Sequence, residues 1–206
     1  VHELGVPHPL HVHCNNLGMA GSADTALATI AAAEGLPLHL AHLQFYGYGR
    51  EGERGFSSDA ARLAEAVNGA KSVTVDVGQV MFGQTVTISS DVLRQFNARN
   101  QASPKKWVIF DGDGNGGGIV PYNYRASDFY NAVQWCVGLE LFLLIEDPSR
   151  VFFTTDHPNG APFTTYPDIF ALLMDRDLRA QWMATLPPAA VAMTTAIVTL
   201  WYRRTF

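Results

Sequence analysis

Six of the seven histidines, His2, His8, His11, His13, His39 and His42, fall in the first 42 residues. Four of them sit in two short apolar runs, PLHVHCNN from Pro9 and LHLAHLQF from Leu38. At the two-residue period of a strand, His11 and His13 share a face, whereas His39 and His42, three apart, point opposite ways. His13 and His42 each come at or near the end of their run. Asp76 ends a third run, KSVTVDV, and Asp156 ends a fourth, RVFFTTD. Imidazoles and a carboxylate at successive strand ends suit zinc and related divalent ions. An open coordination position then turns bound water into hydroxide near neutral pH. The candidate set is His13, His42 and Asp156. The competing reading is that these are hydrogen-bonded strand-end residues with a purely structural role.

Asn15, Asn16 and Gly18 follow His13 directly, where side-chain amides can orient a substrate carbonyl; as turn formers, Asn16 and Gly18 also have an ordinary structural reading. Beyond Asp156, His157 and Asn159 are further candidates for substrate contacts. Cys14 has no partner cysteine nearby and reads as a buried small hydrophobe. Asp111, Asp113, Asn115 and Gly116 match the first half of an EF-hand loop. Tyr122 stands where the bidentate Glu belongs, so that motif is rejected. No Lys-Ser/Thr follows the glycines as a phosphate loop requires, and no Gly-x-Ser-x-Gly elbow occurs.

The elements that must position these residues alternate. Pro9–His13 reads as a strand, and Ser22 as the cap of a helix over Ala23–Glu34, stopped by Gly35. Leu36–Leu43 is a second strand-like run. A Gly- and Tyr-rich loop follows, then a helix over Asp59–Asn68 capped by Ser57 or Ser58, then the strand Lys71–Val77. Residues 80–125 form an irregular insertion with a loop at Asp111–Gly118 and a strand at Trp107–Phe110. A helix from Ser127 to Ile145 stops at Asp147-Pro148. A strand at Arg150–Thr155 and a helix at Asp168–Met183 close the pattern. Strands alternating with helices imply an α/β fold with a parallel sheet, whose active site forms at the carboxyl ends of the strands.

The chain has 206 residues, 48% apolar, 16% charged and 11% aromatic, with a formal net charge of −5. That supports one domain with a real core and excludes a disordered chain. The acidic balance argues against a nucleic-acid partner. No apolar run is long enough for a membrane span: Val137–Ile145 is short and contains Glu140. Two cysteines point to a reducing, cytoplasmic compartment. The chain does not start with Met and shows no signal peptide, which is read as a piece cut from a longer protein.

Four blocks carry a resemblance: HVHCNNLG (His11–Gly18), HLAHLQFYGYG (His39–Gly49), GGGIVPYNY (Gly116–Tyr124) and TTDHPNGAPF (Thr154–Phe163). They resemble the large A-type subunits of formylmethanofuran dehydrogenase and the α subunits of the formyltransferase/hydrolase complex of methylotrophic bacteria. Both belong to the amidohydrolase superfamily of metal-dependent (β/α)₈ barrels. The resemblance runs from Val1 to Met193. It implies that the chain is the C-terminal half of such a TIM barrel, strands 5 to 8, over residues 1–195 with the insertion at about 80–125. It implies a centre of two divalent ions, expected to be zinc, with His13 as the strand-5 ligand, His42 as the strand-6 ligand and Asp156 as the strand-8 ligand and catalytic base.

The strand-1 HxH pair and the carboxylated Lys have no match; Lys71, Lys105 and Lys106 are in the wrong places, and those ligands are expected on a missing N-terminal half. The implied activity is hydrolysis of the N-formyl group of formylmethanofuran or its bacterial analogue, or the reverse condensation. The methanofuran-type cofactor is the substrate, and the other subunits of the complex are the partners. Two other readings stay open: a cyclic-amide hydrolase of the dihydroorotase or hydantoinase kind, and a metal-free scaffold subunit. The ending AIVTLWYRRTF departs from the family and reads as a shifted frame, so residues 196–206 receive no function.

Overall fold

The computed structural model of the chain describes residues 2–89 and 118–194, with Asn97 alone between them. Four parallel strands form the central sheet: β1 (Leu10–Val12), β2 (Leu38–Leu40), β5 (Val73–Asp76) and β8 (Val151–Phe152), adjacent in that order. Helix α1 (Ser22–Ala32) joins β1 to β2, and α2 (Ala60–Gly69) joins β2 to β5. The crossover from β5 to β8 contains α3 (Phe129–Leu144). Two small antiparallel pairs stand outside the sheet: β3 (Tyr48–Gly49) with β4 (Ser57–Ser58), and β6 (Gly83–Ser89) with β7 (Gly118–Tyr124). The alternation of strand and helix is therefore borne out as an α/β fold around a parallel sheet.

Local chemistry explains the helices and corrects several expected boundaries. Ser22 is the first residue of α1, not its cap; Gly21 holds the cap position at φ 77. Ser57 and Ser58 form β4 and Asp59 holds the cap position of α2, while the Ser58 hydroxyl accepts from the Ala60 N–H at 3.3 Å. Asp128 caps α3 by accepting from the Asn131 N–H at 2.9 Å, a bond worth about 1 kcal/mol. The helix expected over Asp168–Met183 is two helices, α4 (Tyr166–Met174) and α5 (Arg176–Met183). Asp175 breaks it: its carboxylate accepts from the N–H groups of Asp177 and Leu178, starting a new helix instead of continuing the old one. A short α6 (Pro188–Val191) follows. The final strand is regular only at β8, because Pro148–Arg150 is a 3₁₀ turn.

The insertion is not irregular throughout, since β6 and β7 pair along their full length, and Gly118 belongs to β7 instead of the expected loop. The expected Trp107–Phe110 strand, the glycine cluster before Gly118 and the tail 195–206 lie outside the described residues.

α3 is buried on nearly every side, as expected of a helix apolar all round. Its Trp135 stacks at 5.5 Å on Phe82, just before β6, and at 5.9 Å on Trp182 of α5. These rings tie the hairpin and the C-terminal helices to the same core. Arg150, itself buried, donates to the carbonyls of Val67 and Ala70 and satisfies the end of α2. Leu10 on β1 and Phe152 on β8, the two outer strands of the sheet, are 45% and 48% exposed.

Candidate active site

The carboxyl ends of β1, β2, β5 and β8 bring the sequence candidates into one region. His11 and His39 are register partners on adjacent strands, and the ladder runs on through the Ala41 N–H to the Val12 carbonyl at 3.0 Å. His42 then leaves strand geometry, with φ 36 and ψ 54 in the left-handed region. That turn breaks the two-residue alternation, so His39 and His42 do not face opposite ways as their spacing implied. The four rings form one row, with centroid separations of 5.0 Å for His39–His11, 5.1 Å for His11–His13 and 4.6 Å for His13–His42. At its end, His13 Nδ1 lies 2.6 Å from His42 Nε2. Burial, followed by the His39 and His13 imidazoles, holds His11 below its ordinary value, against the opposing pull of Asp76.

Asp76 fixes the left-handed turn at His42. Its Oδ1 accepts the His42 backbone N–H at 2.9 Å and the Thr154 hydroxyl at 2.8 Å. Its Oδ2 lies 3.3 Å from His39 Nε2, and His39 Nδ1 lies 2.9 Å from the Thr74 hydroxyl. The Gly78 N–H donates to Thr154 Oγ1 at 2.9 Å. One carboxylate therefore joins the ends of β2, β5 and β8. Burial pushes the Asp76 carboxyl up, but the bonds from His39, Thr154 and the His42 N–H outweigh it and hold it below its ordinary value. Gly78 is needed for this approach, because a Cβ there would come within 2.7 Å of His42 Cβ. The His42 ring stacks on Tyr46 at 5.5 Å.

Asp156 follows β8 at φ 50, and its Oδ2 accepts from Asn159 Nδ2 at 2.9 Å. The Asn159 N–H returns to the Asp156 carbonyl and the Gly160 N–H to the Thr155 carbonyl, a tight turn at the strand end. His157 Nδ1 accepts from the Phe163 N–H at 3.2 Å. Asn15 is exposed, whereas Asn16 at φ 68 donates its side-chain amide to the Thr25 hydroxyl at 2.8 Å, which anchors the turn onto α1. Cys14 is buried beside Thr29, and burial pushes its thiol up.

The structure thus brings His13 and His42 into contact. It sets Asp156 beyond the end of β8, which β5 separates from β2 in the sheet, and among the described residues no group of three or more His, Cys, Asp or Glu side chains is arranged to hold a metal. Asp76 ends its strand in the sequence without belonging to a motif, and neither Thr154 nor Tyr46 carries a local signal for its part in the site. The signal for Asp76 was its place before Val77-Gly78, a glycine that permits close approach. Imidazole nitrogens are a donor type that zinc accepts, and here the two are in direct hydrogen-bond contact, so holding a cation requires the rings to part. Beside this region Tyr124 is buried with no hydrogen-bond partner for its hydroxyl among the described residues. Burial, reinforced by Tyr48, Tyr122 and Asp156, pushes its phenol well up.

Residues 2–200 match the Amidohydrolase family. The chain is 55% identical over 192 residues to the Fhc A-type component of the formyltransferase/hydrolase complex of Methylorubrum extorquens, a match covering 91% of the chain and 35% of that protein. It is 38% identical over 192 residues to the protein FwdA of Methanocaldococcus jannaschii, covering 87% of the chain and 34% of that protein. Among solved structures, it matches the crystal structure of the formyltransferase/hydrolase complex FhcABCD from Methylorubrum extorquens in complex with methylofuran. The TM-score is 0.85 at 51% identity, over 100% of this chain and 38% of that one. The chain spans about a third of the length of these relatives. No described helix is long and apolar enough to cross a membrane.

Proposed function

The chain belongs to the amidohydrolase family, and from that premise we propose that it carries half of the active site of a larger polypeptide that hydrolyses, or in reverse forms, the N-formyl amide of a formylated furfurylamine cofactor. The observation that carries this reading is the facing pair His13 Nδ1 and His42 Nε2 at the carboxyl ends of adjacent parallel strands. The names of the similar proteins support a formyl substrate and, as partners, the other subunits of a formyltransferase/hydrolase complex; a formylmethanofuran dehydrogenase complex rests on the sequence resemblance. Four consecutive parallel strands with helical crossovers support the finer fold reading, strands 5 to 8 of a (β/α)₈ barrel. The exposed Leu10 and Phe152 then meet the remaining strands, and the chain alone has no activity.

His13 and His42 would hold one of two divalent ions, zinc by donor type, with Asp156 as the carboxylate ligand. The other ligands come from the length of the relatives that this chain does not span. Bound there, the ions supply Lewis acidity toward the formyl oxygen and a lowered pKa for water. The chain's own residues do the rest. Asp76 holds His42 so that its Nε2 faces His13. Asp156 accepts the proton of the attacking water at its carboxylate and passes it to the departing amine nitrogen. Asn15 and Asn159 would orient the substrate amide. Asn16 contributes through the turn that it anchors.

The test is a chimera in which this chain replaces the matching 192 residues of the Methylorubrum relative, combined with its partners and assayed for formate release from N-formylfurfurylamine. Formate release that is lost in His42→Ala supports the reading. A folded, assembled chimera that binds no metal and releases no formate, beside an active parent complex, overturns it in favour of a metal-free scaffold.

A further inference from the structure

We propose that the cleft between the β6–β7 hairpin and the His157–Pro162 loop is the subsite for the uncharged aromatic body of the amide substrate, leaving any charged part of that substrate outside it. This rests on the formyl-amide reading above and adds where the rest of the substrate lies. The cleft holds about 570 Å³, within the range of small-molecule sites. Among the described residues its lining contains no Asp, Glu, Lys or Arg. A charged group buried there would lose its hydration with no permanently charged side chain facing it among the described residues, His157 being the one imidazole in the lining. The walls are built instead from the flat apolar surfaces of Pro121, Pro158 and Pro162 with Val86. Gln84 and Asn123, register partners across the hairpin, bring two neutral amides to the same cleft. That combination suits a planar neutral ring that carries hydrogen-bonding groups.

The cleft is braced and adjoins the chemistry. The Thr85 hydroxyl donates to the Pro158 carbonyl and pins the hairpin to the loop. The Tyr122 hydroxyl accepts from Asn131 Nδ2 at 3.0 Å, and its ring packs edge-on against Tyr124 at 4.7 Å. His157 lines the cleft and directly follows Asp156, so a ligand in the cleft lies beside the strand end that bears the proposed base.

The experiment uses the assembled chimera with Val86→Trp, which fills the cleft from a side chain already 38% exposed, and Asn123→Ala. For N-formylfurfurylamine, Val86→Trp should raise KM about tenfold and Asn123→Ala severalfold, with kcat within about twofold, the pattern of lost uniform binding. kcat/KM for N-methylformamide, which has no ring to place, should not change. Calorimetry with furfurylamine itself should show the same loss of affinity in Val86→Trp. Equal losses for both formamides, or no loss for either, overturn the subsite. If the parent chimera turns over neither formamide, the formyl reading fails, and the calorimetry still decides the cleft: unchanged furfurylamine binding in Val86→Trp, or no binding at all, overturns it.

Discussion

The backbone N–H of His42 donates to the Asp76 carboxylate at 2.9 Å, and that bond holds a histidine in the left-handed region where few non-glycine residues rest. The strain is local and serves geometry, since an extended His42 would send its ring away from His13. Because hydrogen bonds hold the Asp76 carboxyl below its ordinary value, the folded protein binds its proton more weakly than the unfolded chain does. The resulting stability is fully present above the unfolded pKa, about 4. It is lost as pH falls through the lower folded value. Urea unfolding of the chimeric protein, followed by tryptophan fluorescence from pH 7 to pH 3, should show this decline. Asp76→Asn should be less stable at pH 7 by about 1–2 kcal/mol and should show a shallower acid decline. An identical pH profile in the two proteins would remove Asp76 as the titrating group.

Metal content separates ligands from bystanders in the histidine row. His13→Ala and His42→Ala in the chimeric protein should each lower the divalent ions bound per chain from close to two. His11→Ala should leave occupancy intact, because His11 ends in ring contacts and not at the facing nitrogens. Elemental analysis after desalting reads this directly. Full loading of both His13→Ala and His42→Ala would show that the close pair is only a hydrogen-bonded core contact.

What the sequence made legible followed from strong local signals. β-branched and apolar runs located the parallel strands, and the Ala-rich stretch located α1. Turn residues after His13 and Asp156 marked the strand ends where chemistry gathers. Two of the misses share one physical cause: a side-chain carboxylate captured backbone N–H groups and overrode the local periodicity. His42 departs from strand alternation because a carboxylate 34 residues away captures its N–H. Asp175 divides the last helix because its side chain takes N–H groups that continued helix would have used. Asp76 itself carried no motif, and its importance arises only when β2, β5 and β8 are side by side.

Gly160 offers a packing test with an internal control. A Cβ at Gly160 would lie 2.6 Å from the Thr155 carbonyl oxygen, 2.7 Å from that of Gln79 and 2.9 Å from that of Gly78. All three are backbone atoms, so relief requires moving the turn behind Asp156. Gly160→Ala should destabilise by about 1–3 kcal/mol, the usual cost of overpacking. At Gly69, the end of α2, a Cβ meets nothing within 4 Å. Gly69→Ala should therefore match or slightly exceed the parent stability. Thermal melts of the two variants side by side decide it, and equal melting temperatures would contradict the crowding at Gly160.

Asp156→Asn tests the proposed chemistry more sharply than any removal of the side chain. The strand end carries Asp156 at φ 50, a conformation that Asn tolerates as readily as Asp. An Asn carbonyl oxygen can still accept the bond from Asn159 Nδ2, so the turn should persist and the melting temperature should barely move. If Asp156 serves only as a turn residue, turnover should be unchanged as well. If it is the base that accepts the water proton, the neutral amide cannot do so, and turnover should fall by about 10²–10⁴. Metal content should fall less than activity, because the amide oxygen remains a donor. Formate release from N-formylfurfurylamine by the chimeric complex, compared with its Asp156→Asn variant at matched metal content, separates these outcomes. Turnover near that of the parent would take Asp156 out of the mechanism and make His157, its neighbour on the cleft wall, the group to test next.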